Sequence, residues 1–147
     1  MARARVLMDT NILLYAATAD VEASAHERYK IEAAFELVQR HDLLISAQNI
    51  LEFSVNARKA RGAGLSHGQT LEWIDLFLEY PFMANTRPLV VMAVDYAFRY
   101  DIRTFDAAMM AAANAGRVDL VYSEDLNHGQ VYGSVRLCNP FIEDFLA

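Results

Sequence analysis

Arg5-Val6-Leu7-Met8-Asp9-Thr10-Asn11 is the stretch whose reading decides the fold. Val6 to Met8 is a short apolar run of the kind that forms a strand buried on both faces of a parallel sheet. It stops on an acid and two small polar residues. A strand here delivers Asp9 to its carboxyl end, the edge where open α/β sheets carry their chemistry. Asp, Thr and Asn are also ordinary capping and turn residues, and an apolar helical stretch, Ile12 to Ala17, follows at once. Asp9 therefore counts as a functional acid only if partners for it arise farther along.

Moving outward, Ser24 with Glu27 forms a capping box that opens a helix to about Arg40, with Ile31, Ala34, Phe35 and Val38 on its apolar face. Leu43 to Ile45 reads as a second buried strand. Ser46 then starts a helix with Ile50, Phe53 and Ala57 on one side and Glu52 beside Asn49, Asn56 and Lys59 on a polar stripe. Ser66 with Gln69 opens another helix, faced by Leu71, Ile74 and Leu78, with Trp73 and Phe77 as a second contact line. Pro81 ends it, and Phe82 to Thr86 reads as an edge strand. Pro88 suits the first turn of a helix whose buried face is Val90, Val91, Val94 and Phe98. Thr104 reads as the N-cap of a helix that sets Phe105, Met109, Ala112 and Ala113 against a sheet, and Gly116 ends it. Asp119 to Tyr122 and Val135 to Leu137 supply the last strands. This alternation predicts an α/β protein with a mostly parallel central sheet and helices on both faces.

At 147 residues and 54% hydrophobic, the chain suits one domain, 1–147, with no linker or repeat. Its longest apolar runs, Ile12 to Ala17 and Leu89 to Val94, are far short of the roughly 20 residues that span a bilayer. Asp9 interrupts the N-terminal apolar run before it could serve as a signal sequence, so a cytoplasmic protein without a membrane partner is expected. Cys138 is the one cysteine, which excludes an internal disulfide and a thiolate zinc site. His26, His41, His67 and His128 have no close ligand spacing, so any metal would take oxygen ligands. A net charge of −6 confines any nucleic-acid contact to a local patch. The basic cluster Arg58, Lys59 and Arg61 is such a patch, or else a solvated helix end where cations suit the dipole.

Asp9 and Asp125 each follow a strand, Asp106 sits in a first helical turn, and Glu52 lies early in the helix after Leu43 to Ile45. In a parallel sheet, these strand ends and helix starts share one edge, so the four acids can converge. Separately, Asp106 is an ordinary early-helix acid, Glu52 a solvated one and Asp125 a turn former. Gathered in one cleft they repel, and either protons or a cation must relieve the repulsion. Oxygen ligands alone point to Mg²⁺ or Mn²⁺, which would leave room for a phosphate.

Leu7-Met8-Asp9-Thr10-Asn11, Glu52, Thr104-Phe105-Asp106-Ala107-Ala108-Met109, Ser123-Glu124-Asp125-Leu126-Asn127-His128-Gly129-Gln130 and Asn139-Pro140-Phe141 together resemble PIN-domain nucleases, more narrowly the VapC-type toxins of prokaryotic toxin–antitoxin pairs. The resemblance spans the chain and implies a three-layer PIN-like fold and a metal-dependent endoribonuclease acting on single-stranded or loop RNA. It places Mg²⁺ or Mn²⁺ on Asp9, Glu52, Asp106 and Asp125. It gives Asn11, Thr10 and Ser123 the work of orienting acids or water, and His128 a structural place in a loop. It further implies a homodimer silenced by a cognate antitoxin. Glu124 departs from the neutral residue that many relatives carry there and is open to two readings, an added ligand or an exposed acid. Arg58, Lys59, Arg61 and Arg103 are the candidates for RNA-backbone contact. The alternatives are a non-catalytic PIN-fold module that binds RNA or protein, and a phosphatase with Asp9 as nucleophile, which Asn11 disfavours because that chemistry is expected of Asp-x-Asp.

Overall fold

A computed structural model describes residues 4–18, 25–59 and 64–142. Its elements run β1 (Arg5–Met8), α1 (Thr10–Ala17), α2 (Ala25–Arg40), β2 (Asp42–Ser46), α3 (Ala47–Asn56), α4 (His67–Phe77), β3 (Phe82–Met83), α5 (Arg87–Tyr100), α6 (Thr104–Ala115), β4 (Leu120–Tyr122), β5 (Val131–Tyr132) and β6 (Val135–Cys138). The expected Ser24 cap lies outside the described residues.

The strands form one six-stranded sheet in the order β3-β2-β1-β4-β6-β5. All pairings are parallel except β5 with β6, a hairpin added at the edge. Successive side chains of a strand point to opposite faces, and both faces are covered. Val6 and Met8 join Leu43, Ile45 and Tyr122 in a core with α1, α2, α3 and α4. Leu7 joins Leu44, Val121 and Leu137 in a second core beneath α5 and α6. This is the α/β sandwich that the alternating pattern predicts.

The chain builds outward from β1 to β2 and β3, then crosses back through α5 and α6 to place β4 on the other side of β1. Strand order reverses between β1 and β4, and the crevice at such a reversal is where open α/β sheets bind ligands.

Several helical faces differ from expectation. On α5, Leu89, Ala93 and Tyr96 are buried, whereas Val90, Val91, Val94 and Phe98 are exposed. The small Ala93 and the alanines of α6 let those two helices pack closely, and that packing turns the valine stripe outward. Phe105 at the start of α6 is exposed for the same reason. On α4, Leu71 and Leu78 are exposed, because the edge-on contact of Phe77 with Phe53 at 5.2 Å fixes the rotation of the helix and brings Thr70, Trp73 and Ile74 inward. On α2, Leu37 and Ala33 are buried and Phe35 is exposed. The N-cap of α6 is Arg103, not Thr104, since the Arg103 carbonyl accepts the first helical bond from Ala107 at 2.9 Å. The edge strand is the pair Phe82–Met83, shorter than expected. Among the described residues no helix is long and apolar enough to cross a membrane.

Candidate active site

Register places the first acid. Met8 pairs with Tyr122, and the Asp9 N–H donates to the Tyr122 carbonyl at 2.9 Å, so Asp9 leaves β1 beside Ser123. Asp9 is only 6% exposed. It also caps α1: Oδ1 accepts from the Thr10 N–H at 2.6 Å, while Oδ2 accepts from Ser123 Oγ at 2.7 Å. Asp9 therefore caps α1 as the capping reading has it, and the same side chain also lines a cleft that it shares with the other acids. Burial pushes its carboxyl from 3.8 to about 6, with repulsion from Asp125 and Asp106 adding to the rise and the Ser123 and Thr10 hydrogen bonds opposing it.

The other acids arrive from three elements and meet Asp9 in one open cleft of about 690 Å³, lined also by Asn11, Asn56, Asp101, Ile102, Arg103, Leu126, Asn127 and Tyr132. Each is held by a neighbour. Glu52 on α3 accepts from Gln48 Nε2, one turn earlier, at 2.9 Å. Asp106 on α6 accepts from Arg103 Nε at 3.2 Å. Asp125, after β4, accepts from Asn11 Nδ2 at 3.1 Å, and its N–H donates to Ser123 Oγ at 3.1 Å. The Asp125 carboxyl is raised too, by partial burial first and then by Glu124 and Asp106.

The supporting residues divide. Asn11 and Ser123 touch the acids through their side chains, whereas Thr10 does so only through its backbone; its hydroxyl donates to the Asn49 carbonyl at 3.4 Å. Asn49 leaves the expected polar stripe altogether: it is buried and donates to the Met8 carbonyl at 2.7 Å, fastening α3 to the end of β1. Glu124 points away from the cleft, where Oε1 accepts from the Tyr15 hydroxyl at 2.8 Å and Oε2 pairs with Lys30 Nζ at 2.6 Å. His128 Nδ1 accepts from the Asn139 N–H at 3.0 Å, a tie between its loop and the residue after β6, outside the cleft lining. Of the expected RNA-contacting residues, Arg103 lines the cleft, Arg58 and Lys59 are exposed beyond α3 and do not, and Arg61 lies outside the described residues.

Sequence reasoning missed Asp101, which caps α5 in the left-handed conformation with φ of 51° and turns into the cleft. An Asp between two helical patterns was its signal, because Asp and Asn tolerate that conformation better than most residues. The partnership of Gln48 with Glu52 was legible in its i, i+4 spacing.

Among the described residues, no three His, Cys, Asp or Glu side chains are arranged to hold a metal ion as placed. The donor chemistry nonetheless suits a hard cation. Asp9, Glu52, Asp106 and Asp125 offer carboxylate oxygens, and the described cleft lining sets five acids against the one base Arg103. Burial first, and then repulsion from neighbouring acids, raises the Asp9 and Asp125 carboxyls. Mg²⁺ commonly takes one or two carboxylates and keeps its remaining waters, so a cage of three side chains is not required.

No protein-family profile matches the sequence, and neither does any curated protein. Solved structures do match. The toxin–antitoxin complex from Klebsiella pneumoniae superposes with a TM-score of 0.68 at 16% identity, over 92% of this chain and 98% of that one. The chain has the PIN-like fold of VapC toxins. VapC20 of Mycobacterium tuberculosis, described as a sarcin–ricin loop cleaving toxin, gives 0.63 at 15% identity over 82% of this chain and 89% of its own. VapBC2 of Rickettsia felis, bound to a DNA fragment from its promoter, gives 0.59 at 14% identity over 90% and 96%. In the VapC fold as this chain builds it, the acid cleft lies at the carboxyl edge of β1 and β4, where the strand order reverses.

Proposed function

We propose that the chain is a metal-dependent endoribonuclease, the toxin of a VapBC-type pair, cutting single-stranded or loop RNA. The observation that carries this reading is the meeting of Asp9, Glu52, Asp106 and Asp125, from four separate elements, in one open cleft. An RNA substrate is supported by the likeness to VapC20, a cognate antitoxin by the likeness to toxin–antitoxin complexes. The proposal includes a homodimer and a cytoplasmic place of action.

Asp9 and Asp106 are assigned the principal Mg²⁺ or Mn²⁺. Glu52, steadied by Gln48, and Asp125, steadied by Asn11, complete the site or position the attacking water. When bound, the metal supplies Lewis-acid stabilisation of the phosphoryl oxygens and a more acidic water. Hydrolysis joins the oxygen of a water to phosphorus as the bond from phosphorus to the 3′ oxygen breaks; the cleft carboxylates would take the proton that the water gives up and the 3′ oxygen gains one, leaving a 5′-phosphate and a 3′-hydroxyl. Ser123 and Thr10 keep Asp9 in one orientation, which fixes where its charge acts. The phosphatase alternative lacks the second acid of an Asp-x-Asp pair, because Asn11 stands at that position and its amide donates to Asp125.

The test incubates the antitoxin-free protein with a pool of structured and single-stranded RNAs in Mg²⁺, Mn²⁺ or chelator, with Asp9→Asn in parallel. Cleavage that needs metal and is lost in the variant is the expected result. Cleavage undiminished in the variant would overturn the assignment.

A further inference from the structure

Resting on that reading, we propose that Arg103 competes with the divalent cation for Asp106 and, once displaced, offers its guanidinium to a phosphate of the RNA backbone at the rim of the cleft. Among the described residues that line the cleft, Arg103 is the one base, facing Asp9, Glu52, Asp101, Asp106 and Asp125. It holds Asp106 by Nε alone, at 3.2 Å, so its terminal amino groups add no second bond to the carboxylate. Its side chain is 76% exposed while that of Asp106 is 12% exposed. The acid is thus fixed in the wall, and the base lies over it from solvent.

The pair of Lys30 with Glu124, outside the cleft, shows what a locked ion pair looks like in this protein. Lys30 and Glu124 meet at 2.6 Å with side chains 20% and 16% exposed, and Lys30 is enclosed by the Tyr15 and Phe141 rings. Arg103 has none of that enclosure. A guanidinium makes its strongest contact to a carboxylate or phosphate as a two-pronged fork, and the single Nε bond to Asp106 leaves that fork unused. A dication on Asp106 cancels the charge that holds Arg103 in place, and the guanidinium is then the one cationic donor that the described cleft lining offers to an entering phosphate. Competition of this kind is reciprocal: whatever the arginine takes from metal affinity, the metal returns as a freed arginine.

The experiment titrates Mn²⁺ alone into the full chain by calorimetry at low ionic strength, comparing wild type, Arg103→Met and Arg99→Met. Arg99 pairs with Asp95 on α5 and does not line the cleft, so it controls for loss of one positive charge. Arg103→Met should bind Mn²⁺ about 5-fold tighter or more, the lower end of ordinary couplings between sites, and Arg99→Met should match wild type. Equal or weaker binding by Arg103→Met, or an equal gain in Arg99→Met, overturns the competition while leaving the nuclease reading intact. No Mn²⁺ binding by any of the three overturns both. The handover to phosphate is read from a labelled single-stranded RNA with Ca²⁺ in place of Mn²⁺: Arg103→Met should bind less tightly and lose about one unit of salt slope. An unchanged slope overturns it.

Discussion

Ser123 Oγ donates to Asp9 Oδ2 at 2.7 Å across 114 residues of sequence, and the same oxygen accepts from the Asp125 N–H at 3.1 Å. One hydroxyl thus ties the Asp9 carboxylate to the backbone that carries Asp125, a second acid that repels it. It can do so because β1 and β4 are neighbours in register, so that the residues following Met8 and Tyr122 emerge side by side.

Ser123→Ala should therefore alter the chemistry as well as the fold. The Ser123 bond lowers the Asp9 carboxyl; without it the value rises above about 6, and the acid limb of the cleavage pH profile moves to higher pH. Loss of a group that orients a metal ligand costs about 10- to 100-fold in activity or metal affinity. Ser123→Thr should recover most of it. An acid limb that stays in place in Ser123→Ala would show that Asp9 does not control the rate.

Asp9 also sets a pH dependence of stability. Its folded value of about 6 lies above the ordinary 3.8, so the protonated form favours the native state. That contribution is present in full below about pH 4 and is lost as pH rises through about 6, amounting to about 3 kcal/mol. Asp9→Asn, which is neutral throughout, should be more stable than wild type at pH 7 in chelator and should show a flatter stability curve between these limits. Asp125, also raised, leaves a residual slope. Urea denaturation across pH measures it; parallel curves for the two proteins would mean that the buried carboxylate is not the source.

The strand pattern made most of this architecture legible. Val6 to Met8, Leu43 to Ile45 and Leu120 to Tyr122 are short β-branched or leucine-rich runs ending in polar residues, and a parallel sheet buried on both faces admits little else. Such runs also deliver Asp9 and Asp125 to one edge, so the meeting of the acids could be argued before any coordinates. Helix rotation could not. α5 carries two apolar stripes, and periodicity alone does not say whether Leu89, Ala93 and Tyr96 or Val90, Val94 and Phe98 face inward; the alanines of α6, far along the chain, decide. The orienting contacts were hidden for a similar reason. Asn11 with Asp125 and Asn49 with Met8 join residues distant in sequence, and no local spacing encodes them.

Glu124 illustrates the limit most clearly, since its place beside Asp125 left two readings open, an added ligand or an exposed acid. Its carboxylate is instead shared between Tyr15 and Lys30, tying the loop after β4 to α1 and α2. Lys30→Met should leave a half-buried acid without its cation and destabilise the fold by about 1.5–3 kcal/mol, the range for hydrogen bonds to charged groups. Glu124 does not line the cleft, so Glu124→Gln should lower divalent affinity only by the small effect of removing one negative charge beside Asp125, not abolish it. A loss of metal binding in that variant would restore Glu124 as a ligand.

The outward stripe of α5 bears on the proposed homodimer. Val90, Val91, Val94 and Phe98 are 49%, 65%, 59% and 91% exposed, a run of large apolar side chains along one side of a helix. Exposed apolar patches of this kind mark interaction surfaces more often than bare monomer surface. A second copy covering this face would make Phe98 and Val94 central to the contact. Phe98→Ser and Val94→Asp should then convert a dimer to a monomer in sedimentation. Neither side chain supports the chain's own core, so each variant should change intrinsic stability by no more than about 0.5 kcal/mol. A wild-type protein that sediments as a monomer would remove the dimer from the proposal. A dimer indifferent to both substitutions would place its interface on another face.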